Sequence, residues 1–203
     1  MKELFSITLG RQLGSGGRQI GEKLAQQMGI SFYDKELLDI ASSESGLGKT
    51  FFEQFDENTR HSIWGVFPEW GASLGNAGFY FNNEALFQIQ SDVIRDLAQE
   101  KSCLFVGRCA DYILNEHSNC LRIFICADMS DRIKRVEEVQ NLPVNKARDF
   151  LLKMDKKRAG YYNYYTGKVW GAAESYDLCI NSSILGIDTT VSFIKQFVEN
   201  WLK

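Results

Sequence analysis

A short apolar run from Leu4 to Leu9 leads into the turn Gly14-Ser15-Gly16-Gly17-Arg18, and an amphipathic stretch follows at once. In that stretch, Arg18 to Met28, the apolar residues Ile20, Leu24, Ala25 and Met28 recur at helical spacing. Strand, glycine turn and helix in this order commit the start of the chain to a parallel α/β unit. Open parallel sheets take their ligands at the carboxyl ends of the strands, which is where this turn lies. Amides at a helix start lack internal partners, and the helix dipole there favours negative charge. Glycines allow the main chain to curl so that several N–H groups meet one oxyanion. The turn therefore predicts a phosphate site at Gly14, Ser15, Gly16, Gly17 and Arg18.

The rest of the chain repeats the alternation. Further strands are predicted at Ile30–Tyr33, Cys103–Val106, Leu121–Ala127 and Tyr176–Ile180. Asp34 caps a helix with Leu37, Leu38 and Ala41 on its inner face, and Asn83 caps a longer one striped by Leu86, Ile89, Val93, Ile94 and Leu97. Another helix is expected from Ser130 to about Gln140, and Pro143 opens the next at its first position. The last carries Ile187, Val191, Ile194, Phe197, Val198 and Trp201 on one face. Ser45 to Phe81, rich in glycine and large aromatics, reads as a helical excursion with a mobile loop. The expected fold is a three-layer α/β/α domain over residues 1–203 with a five-stranded parallel sheet.

Net charge is −3 and the pI near 5.5, which argues against an extended nucleic-acid interface. Cys103, Cys109, Cys120, Cys126 and Cys179 include no Cys-x-x-Cys pair and no zinc spacing with histidine. They read as small buried hydrophobes in a reducing compartment, and no metal ligands are assigned. Met1-Lys2-Glu3-Leu4 enters a strand with no signal-peptide core, and no apolar stretch reaches membrane-spanning length. A cytoplasmic protein is expected.

The familiar phosphate loop is G-x-x-x-x-G-K-[ST]. Aligned on Gly16, this chain has Arg11 at the first glycine, Gly17 at the lysine and Arg18 at the hydroxyl residue. Arg18 can supply the missing charge, because a guanidinium binds phosphate oxygens in bidentate fashion. The dinucleotide fingerprint G-x-G-x-x-G/A also begins at Gly14, with Asp34 placed for a ribose hydroxyl, but Gln19 stands where a third small residue is needed.

Gly107-Arg108-Cys109-Ala110-Asp111 follows the third strand, so Arg108 should reach the same sheet edge. It can neutralise a second phosphate or pair with Asp111, whereas Arg122 reads as structural. Arg132, Arg135, Arg148, Lys153, Asp155, Lys156, Lys157 and Arg158 come downstream, ahead of Tyr161, Tyr162, Tyr164 and Tyr165. Asp155 and Arg158 share a helical face. Cations on such an arm can close over phosphates during phosphoryl transfer. A basic, aromatic stretch can also hold single-stranded RNA, which the acidic total disfavours.

Six segments together resemble the cytidylate kinase-like family of P-loop nucleoside monophosphate kinases. They are GSGGRQIGEKLA from Gly14, FYDKELLDIA from Phe32, VGRCADYIL from Val106, RIFICADMSDRIKRV from Arg122, DKKRAGYY from Asp155 and YDLCINSSILGID from Tyr176. The likeness spans nearly the whole chain, least clearly Leu47 to Phe81. It implies a P-loop nucleotide kinase-like fold with a helical lid at about 143–172 and a monophosphate-binding segment at about 34–81. It implies that Gly14 to Arg18 hold the phosphates of ATP and that Asp34, Lys35, Arg108, Asp155 and Arg158 serve the acceptor monophosphate. Arg18 and Arg158 are then the catalytic cations, with Mg²⁺ accompanying ATP. Where the cytidylate kinase pattern has aspartate after the arginine matched by Arg108, this chain has Cys109.

The expected activity is transfer of the ATP γ-phosphoryl to CMP, dCMP or a related monophosphate. The absent lysine motivates an alternative, a nucleotide-binding regulator without transfer. A dinucleotide-dependent oxidoreductase is the third reading.

Overall fold

Apolar side chains alternate along the strands, and that alternation decides which helices each face of the sheet carries. The computed structural model describes residues 4–34, 77–140 and 143–203. Five strands form one sheet: β1 (Ser6–Arg11), β2 (Ser31–Tyr33), β3 (Cys103–Val106), β4 (Cys120–Cys126) and β5 (Leu178–Asn181). Their order is β2-β3-β1-β4-β5, and every pairing is parallel. In β3, Leu104 and Val106 join Ile7, Leu9, Ile123 and Ile125 in one core, while Cys103 and Phe105 join another.

The first core is closed by α1 (Gly17–Met28) through Ile20, Leu24 and Ala25, and by α6 (Ser182–Trp201) through Val191, Ile194 and Val198. The opposite core is closed by α2 (Ala77–Glu100) through Ile94 and Ala98, and by the short α3 (Ala110–Ile113) through Ala110 and Ile113. The three layers expected from the sequence are these two helical layers and the sheet between them. A third, smaller cluster joins α4 (Met129–Gln140) to α5 (Val144–Thr166): Val136, Ala147 and Leu151 pack there, with Leu13 and Phe150 against them.

Several boundaries differ from the sequence reading. β1 starts at Ser6 and continues to Arg11, because its pairing with β4 runs on through Gly10 and Arg11 to Phe124 and Ile125. α2 starts at Ala77, so Asn83 lies within it and does not cap it. Residues 77–82 hold no proline, and extending an existing helix is easier than nucleating one at Asn83. Pro143 is the N-cap of α5, in extended conformation (ψ 145°), and so sits one residue outside the helix. α6 begins at Ser182, where the Asn181 side chain accepts the Ser183 N–H, and Gly186 interrupts it (φ 71°, ψ 172°). Trp201 is exposed on that helix. Cys103, Cys109 and Cys120 are buried as expected, but Cys126 is only partly covered and Cys179 is exposed. In the edge strand β5, Ile180 fills the inward position that Cys179 does not. The expected helix of Leu37, Leu38 and Ala41 lies outside the described residues, as does most of Ser45 to Phe81.

Leu104 sits at the centre of the first core, fully buried and paired with Ile7 across the β1–β3 register. Leu104→Ala is expected to cost about 2–5 kcal/mol of stability, measured as a lower urea midpoint with an unchanged slope.

Candidate functional site

The glycine turn leaves the middle of the sheet. β1 has neighbours on both sides, so the chain emerges from its end between the ends of β3 and β4. Long-range contacts then fix the backbone from Arg11 to Ser15. The carbonyl of Arg11 accepts Arg158 Nη1 at 3.0 Å, that of Leu13 accepts Arg132 Nε at 2.7 Å, and that of Gly14 accepts Arg135 Nη1 at 3.0 Å. Ser182 Oγ donates to the Ser15 carbonyl at 2.7 Å. In a planar trans peptide the next N–H points away from the carbonyl. Tying these oxygens down therefore turns the amides of Gly14 and Gly16 to the opposite side of the turn. No side chain caps the start of α1. Gly17 N–H reaches Ser15 Oγ at 3.3 Å, while Ser15 Oγ itself donates to the Gln12 carbonyl at 2.9 Å.

Gly14 has a structural necessity as well. Its φ is +75°, and a Cβ there would lie 2.8 Å from the Arg132 carbonyl oxygen. Both the left-handed backbone and the approach of α4 require glycine.

Asp155 and Arg132 lock the base of the turn. Leu13 N–H donates to Asp155 Oδ1 at 2.8 Å, and Arg132 Nη2 pairs with Asp155 Oδ2. The two side chains are only 13% and 4% exposed respectively, so neither charge can fall back on water. α5, the element expected to act as a lid, is thus docked on the glycine turn. Arg158, one helical turn on, is pushed below the usual arginine range, first by burial and then by Arg132, with Asp155 opposing.

Arg18 and Asp34 meet directly: Arg18 Nε donates to the almost fully buried Asp34 carboxylate at 2.8 Å. The same guanidinium lies over the Phe32 ring, 6.0 Å from its centroid, and within 3.5 Å of Glu22. Lys35, the other residue expected at this edge, lies outside the described residues.

Arg108 follows β3 in a strained turn. Gly107, Arg108 and Cys109 have φ values of 79°, 58° and 54°, three successive residues in the left-handed region. Such strain in non-glycine residues persists only where the surroundings enforce it. Cys109 is buried, and burial pushes its thiol up to about 12, so it stays protonated at neutral pH. Arg108 lies over the Tyr161 ring at 5.8 Å. The pairing of Arg108 with Asp111 that the sequence allowed is replaced by another contact: buried Asp111 accepts the Tyr162 hydroxyl at 2.6 Å. Burial also raises the pKa of that carboxyl, with the Tyr162 hydrogen bond opposing.

Arg11, which in the sequence only aligns the glycine pattern, has a defined place in the structure. Its side chain runs across Gly17, where a Cβ would lie 2.6 Å from Arg11 Cβ, and its Nη1 occupies the space that a side chain at Gly107 would fill. The available signal was a cation ending a buried apolar strand directly before a glycine turn. The grip of Arg132 and Arg135 on the turn was equally hidden, since it depends on how α4 packs.

The described residues bring Gly14 to Arg18, Asp34, Arg108, Asp155 and Arg158 to one edge of the sheet. No three His, Cys, Asp or Glu side chains among them gather to hold a metal ion. No described helix is long and apolar enough to cross a membrane.

A profile of the cytidylate kinase-like family matches residues 6–184. A cytidylate kinase from Staphylothermus marinus is 30% identical over 84 residues, 41% of this chain and 47% of that protein. The chain spans about half the length of the curated relatives it matches. Among solved structures, an uncharacterized protein from Eubacterium ventriosum is 28% identical, with a TM-score of 0.74 over 98% of this chain and 99% of the other. Shikimate kinase from Bacteroides thetaiotaomicron shares the fold at 14% identity, with a TM-score of 0.54 over 97% and 99% of the two chains.

Asp155→Ala strands Arg132 and releases Leu13 N–H. Breaking a buried pair on one side is expected to cost about 3 kcal/mol. A thermal melt checks that loss, and Asp155→Asn, which keeps an acceptor for Leu13, is expected to lose less.

Proposed function

Because the chain belongs to the cytidylate kinase-like family, we propose that it is a nucleoside monophosphate kinase, moving the γ-phosphoryl of ATP to CMP, dCMP or a related monophosphate. The observation that carries this reading is the gathering of Arg18, Arg108 and Arg158 around a glycine turn at the sheet edge. In a chain with a net charge of −3 these cations gather at one edge, where among the described residues Glu22 and Asp34 meet Arg18 and Asp155 lies one helical turn from Arg158. Phosphates are the ligands that such a balance suits.

In the proposed reaction a lone pair on an acceptor phosphate oxygen forms a bond to the γ-phosphorus. The bond from that phosphorus to the β–γ bridging oxygen breaks, and its electron pair leaves on ADP. The products are ADP and the nucleoside diphosphate. The attacking oxygen is already anionic, so no general base is required. The work left to the protein is positioning and charge stabilisation.

The amides of the turn bind the donor phosphates. Asp34 orients Arg18 toward them, Arg108 meets the acceptor phosphate, and Arg158 stabilises the transferring group. Asp155 acts through the loop, holding Leu13 and hence the turn. Ser15 Oγ and Asp34 offer oxygen donors at this edge, and both already hold hydrogen bonds within the protein. That set fits Mg²⁺ arriving on ATP, since the ion takes most of its ligands from water and phosphate oxygens.

The decisive experiment incubates the protein with ATP, Mg²⁺ and a panel of monophosphates, and identifies the product nucleotides. A new diphosphate together with ADP supports the reading. Tight ATP binding without turnover on any acceptor would instead favour a nucleotide-binding regulator. Arg18→Ala is expected to lower kcat by roughly 10²-fold, the usual cost of a lost transition-state charge contact. Full activity in that variant would remove Arg18 from the mechanism.

A further inference from the structure

The loop lacks the lysine that ordinarily stands between donor phosphates and the transferred group, and Gly17 occupies that place. A cation is nevertheless present a few residues upstream. β1 continues to Arg11, and the side chain of Arg11 crosses the backbone of Gly17 to lie against Gly107. Gly107 closes β3, the strand beside β1, and directly precedes Arg108. The Arg11 side chain therefore runs from the glycine turn, where its Cβ and Cγ lie, to Gly107, where its guanidinium sits beside the arginine expected at the acceptor.

A side chain at Gly107 would overlap Arg11 Nη1, so glycine there keeps the path open. Arg158 holds the Arg11 carbonyl at 3.0 Å, which fixes the backbone from which the side chain departs. Among the described residues, charges from four segments act on Arg11. They are Arg158 from α5, Arg108 from the turn after β3, Arg18 from α1, and the carboxylate of Asp34 after β2.

We infer that Arg11 is a substrate-binding cation seated between the donor and acceptor phosphates, supplying from the end of β1 the charge that a lysine supplies in the familiar loop. This rests on the phosphoryl-transfer reading above. Guanidinium suits the place because its planar fork can engage oxygens of two phosphates at once. The arrangement also brings like charges together around a buried guanidinium. Burial, Arg158 and Arg108 together push Arg11 down to about 9. It remains cationic at neutral pH, with Asp34 offsetting part of the repulsion from its neighbours. A structural arginine would have the opposite signature, since removing it would weaken the fold.

The test compares wild type, Arg11→Met and Arg11→Lys by three measurements. These are melting of the ligand-free protein, calorimetric binding of inorganic pyrophosphate and of ATP, and transfer to the best monophosphate. Arg11→Met is expected to melt about 2–4 °C higher without ligand, to bind pyrophosphate and ATP at least about tenfold more weakly, and to lose roughly 10²-fold in kcat. Arg11→Lys should recover much of the pyrophosphate binding and less of kcat, because it restores a point charge without the fork.

The inference is overturned if Arg11→Met binds pyrophosphate as wild type does, or if it melts lower or fails to fold. Wild type that binds neither pyrophosphate nor ATP overturns it as well. The two readings separate cleanly. Wild type that binds ATP but transfers to no monophosphate defeats the kinase reading, while pyrophosphate binding by the variants still decides Arg11's contact with phosphate. Normal transfer by Arg11→Met defeats the Arg11 inference and leaves the kinase reading standing.

Discussion

Both polar groups of the Leu13 backbone are taken by side chains more than a hundred residues further along the chain, Asp155 on the N–H and Arg132 on the carbonyl. These two partners also pair with each other, and both are largely withdrawn from water. The triangle is closed: losing any one corner leaves a buried charge or a buried backbone group without its partner, which costs far more than the contact itself contributes. Around it, Leu13 packs into the small core of α4 and α5, and Arg135 and Arg158 hold the carbonyls on either side. The glycine turn is therefore as rigid as the packing of two distant helices makes it.

That rigidity bears on the charges. A turn held by its carbonyls directs amides to its other side, and the cations of the sheet edge are then set against a fixed backbone. The chain is acidic overall, so these cations are a local departure that the fold sustains against their mutual repulsion. Part of that repulsion is offset within the described residues by Asp34 on Arg18 and Asp155 on Arg132, so the cations are held in place by carboxylates as well as by packing.

α5 also connects the turn to the opposite layer. Toward its carboxyl end, Tyr165 stacks on Phe87 of α2, with ring centroids 4.0 Å apart and planes within 10°. Tyr164 donates to Glu84 at 3.2 Å. Tyr161, between the two helices, lies beneath Arg108. One helix thus touches Leu13 through Asp155, the end of β1 through Arg158, Arg108 through Tyr161 and Asp111 of α3 through Tyr162. A shift of α5 would be felt at each of them, which couples the two halves of the site through contiguous packing.

The amino-acid sequence by itself determined the parallel sheet, the order of helices and strands, and the place of the glycine turn between β1 and α1. Those properties are written in local periodicity and in glycines whose backbone freedom has few other uses. It also supplied Arg18, Asp34, Arg108, Asp155 and Arg158 as candidates, through motif order and likeness. It left out what each side chain faces. Asp34 receives Arg18, Asp111 receives Tyr162, Asp155 holds Leu13, and Arg11 crosses Gly17 toward Gly107. Each of these joins residues from separate elements. Their meeting is set by strand order, by the register that carries β1 on to Arg11, and by the docking of α4 and α5, none of which has a local signature in the chain. Periodicity records which face of an element is buried; only packing records what lies across from it.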